Sequence, residues 1–132
     1  MIKQTLESFK SMADRFGVAK STYHFSVKKV ASALVTEIIP NVIQWPAGNK
    51  VRETCDAFSE LAGILNVIGA VDGTHIPIKA PKNNPNAYYN RKQFHSLVLL
   101  ATCNANLRFR YVWTGNPGST HDATVLRSSE LF

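Results

Sequence analysis

Cysteine is scarce in this 132-residue chain, with Cys55 and Cys103 the two examples. Neither stands in a C-x-x-C pair or at ligand spacing from a histidine, so a zinc cage or a disulfide framework is disfavoured and free thiols in a reducing compartment are expected. Long apolar runs are missing too. None approaches the ~20 residues that cross a bilayer, and the opening MIKQTLESFK lacks the uninterrupted apolar stretch of a secretory leader. The expectation is an intracellular chain with no membrane partner. Repeats and low-complexity tracts are absent, which removes solenoid and collagen architectures. With 45% hydrophobic residues, a chain of this length has enough apolar surface for one core and too little for two independent ones.

Acidic residues are the other shortage. Nine Asp and Glu face fifteen Lys and Arg, a net charge of +6, and the imbalance is local. Between residues 82 and 111, Lys82, Arg91, Lys92, Arg108 and Arg110 meet no acid, and residues 1–52 are also strongly basic. Glu53, Asp56, Glu60 and Asp72 lie between the two cationic blocks. Such an excess favours a polyanionic partner, although charge alone is equally compatible with a solvated surface.

Hydrophobic periodicity divides the chain. Phe9, Met12, Ala13 and Phe16 fall at i, i+3, i+4 and i+7 and predict a helix that Gly17 ends. Tyr23, Val27, Val30, Ala31, Leu34 and Ile38 predict a second helical face, which Pro40 is expected to stop. NVIQWPAGNK reads as a linker and VRETCDAFSELAG as a short helix ending at Gly63. The pattern then becomes extended: NVIGAVDGTHIPI, HSLVLLATC and RFRYVWTG predict three strands, the last two joined at Asn104-Ala105-Asn106. A polar loop, KAPKNNPNAYYNRKQ, separates the first two. After the GNPGS turn, Ser119 or Thr120 is positioned to cap a final helix with Asp122 in its first turn. Helices followed by strands predict an α+β fold.

Three groupings could perform chemistry. Asp72 lies in an apolar strand, where burying an ionised carboxylate demands a partner, and Asp122 lies at a helix start; each has a histidine nearby, His75 and His121. Hard oxygen donors converging from a strand and a helix suit Mg²⁺ or Mn²⁺ better than zinc. Two such ions about 4 Å apart can activate water against a phosphodiester. Asp122 is equally explained as a carboxylate favoured by the helix dipole. Second, SMADRFGVAKSTYHFSVKKV has a helix, glycine turn, helix layout. With Tyr23, Val27 and Val30 inward, it would turn Lys20, Ser21, His24 and Lys28 toward DNA phosphates or base edges; an ordinary amphipathic pair with a solvated lysine face has the same pattern. Third, Arg91, Lys92, Arg108 and Arg110, interleaved with Tyr88, Tyr89 and Phe94, could track a phosphate backbone. His24 and His95 also read as packing or surface residues, and Trp45 and Trp113 as core anchors.

The segments NVIGAVDGTHIPIKAP and YYNRKQFHSLVLLATCNANLRFRYVWTGNPGSTHDATVLRSSELF resemble the Harbinger-type transposases and the nucleases domesticated from them. ADRFGVAKSTYHFSVKKV is similar to that family's N-terminal helix-turn-helix, and VIQWP to the linker after it. The resemblance implies three regions: helix-turn-helix-like helices over 1–45, a linker and short helix over 46–65, and over 66–132 the first half of a DDE ribonuclease H-like nuclease domain, three strands and a helix. It implies a divalent-metal-dependent endonuclease in which Asp72 and Asp122 are catalytic, metal-binding carboxylates; Lys20, Ser21, His24, Lys28, Arg91 and Lys92, read above from helix layout and charge, are the expected DNA contacts. The family's later acidic positions have no counterpart before Phe132, so a catalytically inactive DNA- or protein-binding module is the competing expectation. Ala19 stands where the family usually has a capping serine. A nuclear location and a Myb/SANT-like protein partner are further implications of the resemblance.

Overall fold

The computed structural model describes residues 8–131; the opening residues, read above for a leader, lie outside them. The chain forms two compact units, Met1–Val42 and Ile43–Phe132.

In the first unit, helix α1 (Phe9–Arg15) and helix α2 (Lys20–Ala33) are joined through Gly17, whose φ of 62° gives the left-handed turn that lacks steric cost only for glycine. Ser8 caps α1, its hydroxyl oxygen accepting from the Ser11 N–H at 3.1 Å. Ala19 occupies the same position before α2 with extended backbone and no side-chain bond. Pro40 does not stop the second helix, contrary to the sequence expectation. The chain continues from α2 into a π-helical turn (Leu34–Ile38) and a short helix α3 (Ile39–Val42). Ile39 N–H bonds the Leu34 carbonyl five residues back, and this wider ladder accommodates the proline ring that a regular i−4 ladder would not. The Asn41 side-chain amide donates to the Glu37 carbonyl at 2.7 Å.

The inward stripe of α2 is also only partly realised. Ala13 is buried, and Tyr23 packs between Phe9 and Phe16 with ring centroids 5.9 and 6.2 Å away. Val27 and Val30 remain 38% and 59% exposed. Two helices bury one seam between them, and residues beyond that seam need a third element to cover them.

In the second unit, helix α4 (Asn49–Ala62) ends at Gly63, again left-handed at φ 68°. Strands β1 (Ala70–Pro77), β2 (Ser96–Cys103) and β3 (Phe109–Pro117) form an antiparallel sheet in that order, followed by helix α5 (Asp122–Ser128). The chain is thus α+β. β2 is central and its residues alternate strictly: Ser96, Val98, Leu100 and Thr102 are buried on one face. α5 packs there, so that Val98, Leu100 and Val125 form the core with Trp113, Leu126 and Leu131 around them. The β2–β3 connection runs over Asn104–Arg108, longer than expected. Buried Asn104 closes it, its side-chain oxygen accepting from the backbone N–H groups of Asn106 and Arg108 while Leu107 takes a left-handed φ of 56°. Trp113 is the anchor expected, whereas Trp45 is 41% exposed. Both cysteines are free thiols. Among the described residues no helix is long and apolar enough to cross a membrane.

Candidate active site

Asp72 is exposed, not buried as its apolar neighbours suggested. The reason is topological: β1 lies at the edge of the described sheet, so its residues keep solvent on one side. The Asp72 Oδ1 accepts from the Gly73 N–H at 2.8 Å. Asp122 approaches the same point from α5. A Cβ built on Gly73 would stand 2.8 Å from the Asp122 Oδ1 and 3.2 Å from its Cγ, so the carboxylate occupies space that only a glycine leaves open. Because the N and Cβ positions of one residue are about 2.5 Å apart, the two Oδ1 atoms lie within about 8 Å of each other. Asp72 and Asp122 also line one cavity of about 180 Å³ with Gly73, Leu100 and Leu126. Successive strand residues face opposite ways, so a common ligand requires the Asp72 carboxylate to turn round the open edge of β1.

The start of α5 differs from expectation. His121 is the N-cap residue, without a side-chain bond to the helix, in place of Ser119 or Thr120. Its ring is engaged elsewhere: Arg91 Nη2 lies 2.9 Å from Nδ1 and 3.3 Å from Nε2. A guanidinium only donates, so this contact uses an imidazole lone pair.

Arg91 and Lys92 are held by Asn90, which is 3% exposed. Its side-chain oxygen accepts from the Lys92 N–H at 2.9 Å and the Phe94 N–H at 3.3 Å, and its amide donates to Ser96 Oγ at 2.8 Å. Ser96, fully buried, also pairs with His75 Nδ1 at 3.0 Å. Neither Asn90 nor Ser96 is among the candidate site residues of the sequence, although Asn90 lies in the YYNRK segment that carries the family resemblance. The available signal was Asn90 itself, a polar residue opening the tight turn before a strand.

Other expected positions do not join this site. Arg108 is exposed, and Arg110 lines a separate cavity with Glu53, Thr54 and Trp45, its buried Nε unpartnered. Tyr89 stacks edge-on with His95, which fits the packing role expected of that histidine. In the first unit Lys20, Ser21, His24 and Lys28 are all exposed on α2; the His24 ring also packs edge-on against Phe9 at 5.2 Å. Among the described residues no group of three or more His, Cys, Asp or Glu side chains could hold a metal ion.

Residues 71–132 match the DDE superfamily endonuclease family. The chain is 39% identical over 121 residues to "Putative nuclease HARBI1" of Rattus norvegicus and 37% identical to the Homo sapiens protein of that name, covering 91% of this chain and 34% of each relative. It is 28% identical over 128 residues to "Protein ALP1-like" of Arabidopsis thaliana, covering 96% of this chain and 31% of that protein. The chain therefore spans about a third of the length of the curated relatives it matches. No solved structure matches it. Residues 71–132 are thus similar to the DDE superfamily endonucleases, and the relatives named are Harbinger-derived nucleases of the kind that the motifs of this chain resemble.

Proposed function

We propose that this chain contributes the first part of the catalytic centre of a divalent-metal-dependent DNA endonuclease, with Asp72 and Asp122 as its metal-binding carboxylates. The observation that supports this most is the seating of Asp122 against Gly73, one residue from Asp72. Two carboxylates, with no third such ligand among the described residues, suit a hard cation that keeps several waters and do not suit a closed protein cage. Bound between Asp72 and Asp122, Mg²⁺ or Mn²⁺ would supply charge neutralisation and an acidified water. The chain's own part is positional. Gly73 leaves space for Asp122, β1 presents Asp72 at an open edge, and Arg91 and Lys92 share a cavity wall with Asp122 and add positive charge for the substrate backbone. In hydrolysis the water oxygen forms a new bond to phosphorus, one bridging P–O bond breaks, and the departing oxygen takes up a proton.

The three strands and α5 fit the opening portion of a ribonuclease H-like domain, and α1, the Gly17 turn and α2 fit a helix-turn-helix whose Lys20, Ser21, His24 and Lys28 meet DNA. A nuclear setting and a Myb/SANT-like partner follow from the resemblance alone. A supercoiled plasmid incubated with the protein and Mn²⁺ tests the central reading: nicking that Asp122→Asn abolishes is the expected result, and wild-type protein that leaves the plasmid intact refutes it. The second reading, a DNA-binding module without chemistry, is favoured by the lack of a third acidic ligand among the described residues. Salt-sensitive DNA binding without nicking would support it.

A further inference from the structure

Beside the carboxylates, a separate cavity of about 170 Å³ opens between the loop after Asn90 and the turn that leads into α5. Its walls include Arg91, Lys92, His75 and His121, and its one acidic side chain is Asp122. Among the described residues neither Arg91 nor Lys92 pairs with a carboxylate, and one guanidinium nitrogen of Arg91 is engaged with His121 while its other donors have no protein acceptor. Water hydrates both exposed heads in the free protein, and two cations converging on one pocket offer charge-assisted donors that an incoming anion can take over.

The pocket is also fixed in shape before any ligand arrives. Asn90 ties the Arg91–Phe94 turn to Ser96 at the start of β2, and Ser96 ties it to His75 on β1. The opposite wall is locked by Gly118. A Cβ there would fall against Ser96 Oγ and lie 2.7 Å from the Tyr88 carbonyl oxygen and 2.8 Å from that of Ser96, and Ser119 N–H bonds the Ala87 carbonyl at 3.1 Å. Loop and turn are therefore packed backbone to backbone, which holds Arg91 and Lys92 next to Asp122 at low entropic cost.

We infer that this pocket is a single-phosphate subsite: Arg91 and Lys92 together take one DNA phosphodiester group neighbouring the one presented to Asp72 and Asp122. This rests on the endonuclease reading for the identity of the substrate, and it adds that the two cations share one phosphate instead of each meeting its own. A diester in the pocket would align the strand so that the next linkage meets the carboxylate pair. A phosphate held by an arginine fork and a lysine point charge is recognised by charge and shape, with no dependence on base sequence.

The test is the salt dependence of binding to a fluorescein-labelled DNA duplex, measured by anisotropy in EDTA so that no cleavage intervenes. Each phosphate contact contributes about 0.9 to the slope of log affinity against log salt. The Arg91→Ala/Lys92→Ala double variant is expected to lose about 0.9 of slope, the value for one shared phosphate. A loss of about 1.8, meaning two separate contacts, would overturn the proposal, as would an unchanged slope or wild-type protein that does not bind. Both side chains are exposed, and a thermal melt of the variant confirms that folding is intact. Absence of nicking with the 0.9 loss intact would refute the nuclease reading alone, and nicking with an unchanged slope would refute the pocket alone.

Discussion

Replacing Gly118 by alanine tests whether the loop bearing Arg91 and the turn bearing Asp122 are packed as tightly as the structure shows. Gly118 is buried and its φ is not left-handed, so the demand on it is for space alone. An added methyl would meet Ser96 Oγ and two carbonyl oxygens, at 2.7 Å and 2.8 Å. A side-chain tip could swing away, but Tyr88 and Ser96 carbonyls are backbone, anchored in a short helical turn and a central strand. Relief must come from moving the turn, which strains the Ser119 N–H bond to Ala87 at 3.1 Å and the Thr120 N–H bond to Pro117 at 2.9 Å. Overpacking typically costs 1–3 kcal/mol and each weakened hydrogen bond about 1 kcal/mol, so a loss of about 3 kcal/mol is expected. For a unit of this size that lowers Tm by roughly 12–24 °C, readable by circular dichroism. Combining Gly118→Ala with Ser96→Ala removes one of the three clashes and leaves both carbonyls, so the double variant should stay well below wild type. A Gly118→Ala melt within about 2 °C of wild type would refute the packing argument.

Gly73→Ala should behave differently, because the atom it meets is the movable carboxylate of Asp122: stability should change by less than about 0.5 kcal/mol, while Mn²⁺-dependent nicking is lost as Asp122 is pushed from Asp72. A large fall in Tm with nicking retained would contradict this. Ala19→Ser supplies the hydroxyl that the extended N-cap of α2 lacks and should stabilise that helix by about 1 kcal/mol, seen as slower amide exchange at Ser21 and Thr22. Unchanged exchange would show that the cap geometry is wrong. Asn90→Ala strands the Lys92 and Phe94 N–H groups and removes a donor from buried Ser96; urea unfolding should report a loss of about 2 kcal/mol, and a neutral result would show that water replaces the amide.

Much of this architecture was legible in the residues. Period 3.6 around Phe9 and Phe16, the helix-ending glycines Gly17 and Gly63, and the apolar run of HSLVLLATC mark helices, their ends and the central strand, because each depends on residues close in the chain; that alternate residues of that strand are buried emerged only with the fold. Pro40 misled, since a proline stops a regular helix but not one that widens into a π turn. Val27 and Val30 misled for another reason: periodicity shows which face could be buried, not whether anything covers it. Asp72 looked buried because its neighbours are apolar, yet an edge strand leaves it in water.

By itself the sequence determined the order of elements, the excess of positive charge and the two aspartates fifty residues apart. The tertiary structure decided that Gly73 receives Asp122, that His121 and not Ser119 begins α5, and that Asn90, Ser96 and His75 act together to hold Arg91. Those pairings join residues remote in the chain, and local propensity contains no term for them; they arise only when the sheet register brings β1, β2 and α5 into one place.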